Sequence, residues 1–92
     1  MNNIEALASC VENIMGADPL RAGRTRPVVE ARVLLVAVLR AQGYTQQRIG
    51  DILGFTRISI QHYDAIFRDA MTYPSRPEIV KGWQKLQKIY DI

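Results

Sequence analysis

Two glycines four residues apart, Gly50 and Gly54, constrain this chain more than any other feature, because they sit inside the stretch QQRIGDILGFTRISIQHYDA from Gln46 to Ala65. Two short helices joined by a tight turn must cross closely, and the first needs a small residue where the second leans on it. Gly50, between Ile49 and the pair Ile52 and Leu53, is that contact point. The turn then needs a residue tolerant of positive φ directly after Leu53, and Gly54 supplies it. Phe55 plugs the corner, and Thr56 is placed as the N-cap of a second helix that starts at Arg57. Ile60, Tyr63 and Phe67 fall on one helical stripe that packs back on the domain, which leaves Arg57, Ile58, Gln61 and His62 on the free face. This is the order of residues that a DNA-reading helix-turn-helix needs, with the free face near the N-terminal end of a recognition helix in a major groove. Two glycines alone fit a structural helical hairpin equally well. Gly50, Leu53, Gly54, Phe55, Thr56, Ile60 and Tyr63 taken together favour the reader.

Charge agrees through its distribution more than its total. The 92 residues carry a net charge of only +3. Between Arg21 and Arg57, however, Arg21, Arg24, Arg26, Arg32, Arg40, Arg48 and Arg57 are opposed only by Glu30 and Asp51, a local balance of +5. That charge lies on and just before the proposed reader, as an electrostatic footprint for phosphate does. The length suits a single domain, 1–92, with one core that buries roughly two-thirds of the unfolded surface.

The single cysteine, Cys10, excludes an internal disulfide and reads as filler on an apolar helix face. One histidine and one cysteine cannot supply the four ligands of a structural zinc site, and a Cys10–His62 dyad lacks an orienting third group, so neither a metal nor catalysis is expected. No glycine-rich GK[ST] loop is present, so no nucleotide or other cofactor is expected. The most hydrophobic run, Val33 to Leu39, is too short to span a bilayer and is flanked by Arg32 and Arg40; it reads as a buried helix. With no recognisable secretion signal, cytoplasmic residence is the default expectation and no membrane partner is expected.

Along the chain the pattern predicts five helical segments and no strand. The first spans about Asn3 to Met15, with Ile4, Leu7, Val11 and Ile14 on one stripe and Gly16 as its stop. Asp18 before Pro19 allows one short helical turn, and the basic loop LRAGRTRP follows. A long helix from about Pro27 to Gln42 is apolar nearly all round and should form the centre of the core. Thr45 is a plausible cap for the first helix of the motif, which occupies about 45–71 with its recognition helix running from Arg57 to Met71. Pro74, Ser75 and Pro77 mark a break, and Ser75 with Glu78 resembles a capping box that opens the last helix. There Ile79, Trp83, Leu86 and Tyr90 form the docking stripe, while Lys81, Lys85 and Lys88 read as a solvated face before a phosphate track.

The succession GRTRP, VVEARVLLVAVLR, YTQQRIGDILG and then a short helix containing SIQHY resembles the C-terminal DNA-binding domain of the DnaA-type chromosomal replication initiator. The resemblance covers almost the whole chain. It rests most specifically on Ala31 and Arg32, on Ile49 and Gly50, and on Ile60, Gln61 and His62. It implies an all-α, Trp-repressor-like fold and a divided reading of DNA, with the helix-turn-helix in the major groove and an arginine of the basic loop, here Arg24 or Arg26, in the neighbouring minor groove. A narrow A·T-rich minor groove concentrates negative potential and so attracts such an arginine. The chain departs from the family at the front of the recognition helix. Where members carry a glycine, basic residue, aspartate, histidine and threonine, it has Gly54, Phe55, Thr56, Arg57, Ile58 and Ser59, one residue shorter. Its target need not be the familiar origin box. The family's ATPase motor has no counterpart here.

The candidate DNA contacts are therefore Arg24, Arg26, Arg32, Thr45, Arg48, Thr56, Arg57, Ile58, Ser59, Gln61 and His62. Edge chemistry suits Arg57 to guanine, Gln61 to adenine and Ile58 to a thymine methyl. His62 has two open fates, a base or phosphate contact or a satisfied polar group at the surface. The expected activity is sequence-specific binding of double-stranded DNA by a stand-alone module, favoured over an excised domain because Met1 begins a well-formed helix and Ile92 closely follows the last one. The runner-up is a transcriptional regulator of phage or mobile-element type. A protein-binding adaptor working through Trp83 is the more distant alternative. A module of this size buries roughly 600–1,000 Å² on DNA, so a homodimer on two half-sites is a further expectation.

Overall fold

The computed structural model describes residues 3–73 and 76–92. Five helices account for the architecture: α1 (Asn3–Met15), α2 (Arg26–Ala41), α3 (Gln46–Leu53), α4 (Arg57–Thr72) and α5 (Pro77–Tyr90). No strand occurs among the described residues, so the fold is all-α as the pattern predicts.

The apolar sequence of α2 dictates its place. From Val28 to Leu39 every residue is buried except Val29, which is half-buried, and α1, α3, α4 and α5 all pack against this helix. A helix apolar on all sides can be satisfied only by neighbours on all sides. Leu7 and Val11 of α1, Ile49 of α3, Ile60 and Ala70 of α4, and Ile79 and Leu86 of α5 close around it. Cys10 is half-buried near Tyr90, whose hydroxyl is pushed up in pKa by burial and by the neighbouring thiol.

The predicted elements hold, with shifts at their ends. α2 starts at Arg26 and α4 extends to Thr72, each one residue from its expected limit. The Asp18–Pro19 segment forms a single turn without becoming a helix: the Leu20 N–H donates to Asp18 Oδ1 (2.9 Å) and the Arg21 N–H to the Asp18 carbonyl (3.2 Å). Of the capping box proposed for the last helix, Ser75 lies outside the described residues, as does Pro74. The N-cap of α5 is Arg76, and no side-chain cap bond is made to that helix among the described residues.

The helix-turn-helix is built from local chemistry. Thr45 caps α3 by accepting from the Arg48 N–H at 3.1 Å, and Thr56 caps α4 by accepting from the Ser59 N–H at 3.1 Å. Between them Gly54 takes a left-handed conformation, φ 75°, and both its N–H and that of Phe55 return to the Gly50 carbonyl. Gly50 lies so close to the turn that a Cβ there would stand 2.8 Å from the Phe55 carbonyl oxygen. That approach lets α4 cross α3 over Ile49 and Ile60, both fully buried. Gln46 Nε2 donates to Asp64 Oδ2 at 2.7 Å and fixes the start of α3 to the middle of α4.

Candidate nucleic-acid interface

The stripe that sends Ile60 into the core turns Arg57, Ile58, Gln61 and His62 outward, and all four are exposed. Ile58 is 78 % exposed, the most open of the large apolar side chains among the described residues. It stands on the first turn of α4 beside Arg57, where the helix offers apolar and cationic contact together. Thr56 and Ser59 do not stand free. The Thr56 hydroxyl donates to Ser59 Oγ at 3.0 Å and accepts from the Ser59 N–H, so both side chains are committed to shaping the helix start.

The basic loop folds back toward the same face. Arg24 and Val29 share one cleft with Ile58, Ser59, His62 and Tyr63, which brings the loop arginine and the first turns of α4 to a single depression. They are more than thirty residues apart in sequence. His62 is exposed with its ring centroid 6.0 Å from that of Tyr63. At the start of α3, Thr45 and Arg48 are exposed and line a shallow cleft with Gln42, Gly43 and Tyr44. The Thr45 hydroxyl is occupied by its capping bond, which leaves Arg48 as the free cation there.

Arg32 is a correction. Expected among the DNA contacts, it is only 6 % exposed. Its Nε donates to the Pro19 carbonyl at 3.0 Å, its Nη2 to the Arg21 carbonyl, and its Nη1 reaches the Tyr63 hydroxyl at 3.5 Å. Its guanidinium carbon lies 5.4 Å from the centroid of the Phe55 ring. A guanidinium with its donors directed inward is a strut: it ties the basic loop to α2 and to the corner of the helix-turn-helix. Arg40 also braces the fold while staying half-exposed, its Nε 3.3 Å from Asp64 Oδ2 and its Nη1 donating to the Tyr44 carbonyl at 3.2 Å. Two of the seven arginines behind the local balance of +5 thus serve the fold.

Arg26, unlike Arg24, is paired with a carboxylate. Its Nε lies 3.4 Å from Glu30 Oε2, and the same oxygen receives Arg76 Nη1 at 3.5 Å. Sequence reasoning missed Glu30, Tyr63 and Arg76 as participants. A glutamate inside an otherwise apolar helix was the available signal, since a buried carboxylate demands cationic partners. Trp83, the anchor of the adaptor alternative, packs edge-on against Phe67 with centroids 4.8 Å apart. No helix among the described residues is long and apolar enough to cross a membrane.

Comparison with known proteins adds no assignment: no protein-family model, no curated protein and no solved structure matches this chain.

Proposed function

We propose that this chain binds double-stranded DNA with sequence preference, the first two turns of α4 entering the major groove and Arg24 the adjacent minor groove. One observation carries the reading: Arg24 from the loop and Ile58, Ser59 and His62 from α4 line a common cleft. A helix alone offers one reading surface; a loop arginine held beside it offers a second at a fixed spacing. Arg57, Gln61 and His62 provide donors and acceptors for base edges, and Ile58 an apolar contact for a thymine methyl. Arg48, at the front of α3, supplies a phosphate contact across the backbone, where the first helix of such motifs crosses. The resemblance to the DNA-binding domain of the DnaA-type initiator supports the same division of labour. A role at an origin-like or a promoter site, and pairing of two copies on two half-sites, belong to this proposal as its finer alternatives.

The test is fluorescence-anisotropy binding to a pool of duplexes across a salt series, followed by sequencing of the retained fraction. Saturable binding whose log affinity falls linearly with log salt, with an enriched motif, is the expected result. No retention even at low salt would sink the proposal and turn attention to a protein partner.

A further inference from the structure

A second cleft adjoins the first. It is lined by Arg24, Arg26, Val29 and Arg76, and it shares Arg24 and Val29 with the cleft at the head of α4. Two of these arginines, Arg26 and Arg76, share the carboxylate of Glu30, whose side chain is only 5 % exposed; with Glu78 of the first turn of α5 also counted, the three arginines keep an excess of one positive charge. The Arg26 and Arg76 side chains remain 66 % and 33 % exposed. Each gives a single N–H to Glu30, and a guanidinium has five. The carboxylate therefore holds both cations in place without using up their donors. α2 and α5 begin at this cleft, and among the described residues neither has a side-chain cap like those of α3 and α4; the positive dipole end of α2 adds to the field, while Glu78 offsets that of α5.

We propose that Arg26 and Arg76, bridged by the buried Glu30, form with Arg24 a seat for a backbone phosphodiester of the bound duplex. The inference rests on the DNA-binding reading and extends the footprint from the loop onto the start of α5. It also separates the two loop arginines, with Arg24 reaching into the groove and Arg26 gripping its edge. A planar guanidinium fork matches two phosphate oxygens, and a site of this kind reads no bases.

The measurement is the slope of log affinity against log salt for the full chain on one fixed duplex. Arg76→Ala should lower the magnitude of that slope by about 0.9, the value of one phosphate contact, and weaken binding by the same factor on unrelated duplexes. Arg76→Lys, which keeps the charge, should restore most of the slope. Lys88→Ala, twelve residues further along α5 and so about 18 Å away along its axis, should leave it unchanged. Because Arg76→Ala leaves Glu30 with one partner fewer, the double variant Glu30→Gln with Arg76→Ala is measured against Glu30→Gln alone, and the same drop in slope is expected. Salt-dependent binding by the parent chain with no change of slope in either Arg76→Ala background overturns the seat and leaves the DNA reading standing. Absence of salt-dependent binding by the parent chain overturns both.

Discussion

Replacing Arg32 by methionine separates its structural role from a role in DNA contact. Methionine keeps much of the length and volume of the side chain but removes every donor. The lost interactions are two hydrogen bonds from a charged group to the Pro19 and Arg21 carbonyls, the longer contact to the Tyr63 hydroxyl, and the cation over Phe55. Hydrogen bonds to charged groups contribute about 1.5–3 kcal/mol each after desolvation, and a cation–π contact about 1 kcal/mol. Against this, methionine keeps much of the packing, and the freed Arg21 carbonyl, on an exposed residue, can take up water, whereas Pro19 is buried and its carbonyl is left without that partner. The balance is a loss of about 3 kcal/mol. For a domain of this size that corresponds to a fall in melting temperature on the order of 15 °C. Arg32→Lys should lose most of the same stability, since one ammonium cannot span acceptors arranged for a planar fork.

Thermal unfolding followed by far-UV circular dichroism reads the effect directly, and hydrogen exchange of loop amides between Pro19 and Arg24 should accelerate alongside it. A methionine variant melting within about 3 °C of the parent, a change of less than roughly 1 kcal/mol, would refute the strut. An unchanged melting temperature together with lost DNA affinity would reinstate Arg32 as a direct contact.

Three further outcomes are expected. Gly50→Ala should cost about 2–3 kcal/mol in urea unfolding, because the new Cβ meets the Phe55 carbonyl oxygen at 2.8 Å and backbone has to move; Gly82→Ala should cost under about 1 kcal/mol, because its clashes are with the side-chain tips of Leu34 and Met15 and alanine favours the helix. Ile58→Ala should leave stability within about 0.5 kcal/mol, as its side chain is 78 % exposed, while lowering affinity for the selected duplex; equal binding by the variant would remove Ile58 from the reading face.

The helix-turn-helix was legible because its requirements are local. A positive φ at Gly54, a close approach at Gly50 and hydroxyl caps at Thr45 and Thr56 each depend on a residue type at one position, and neighbours confirm it. α2 was legible because a helix apolar all round has only one place to go. Arg32 was misread because its partners, Pro19 and Arg21, lie in a loop whose path no periodicity records. Arg76 was missed for a related reason: its contact with Glu30 spans 46 positions. The cation content of a segment says how much charge it carries, and only the fold says which charges remain available to a phosphate.

That distinction gives α2 its meaning beyond the core. Its charged residues past the first turn are Glu30, Arg32 and Arg40, and each braces a different part of the proposed interface. Glu30 orients Arg26 and Arg76, Arg32 fastens the loop that carries Arg24, and Arg40 joins the start of the helix-turn-helix to Asp64 on α4. Segments distant in sequence are thereby referred to one rigid helix, so the spacing between the loop arginine and the reading turn of α4 follows from the packing of α2. On this view substitutions at Glu30, Arg32 and Arg40 act through geometry, changing how well the two reading elements fit a duplex together. The proposed DNA reading then assigns base preference to side chains that make no such brace: Arg57, Ile58, Gln61 and His62 in one groove, and Arg24 in the other.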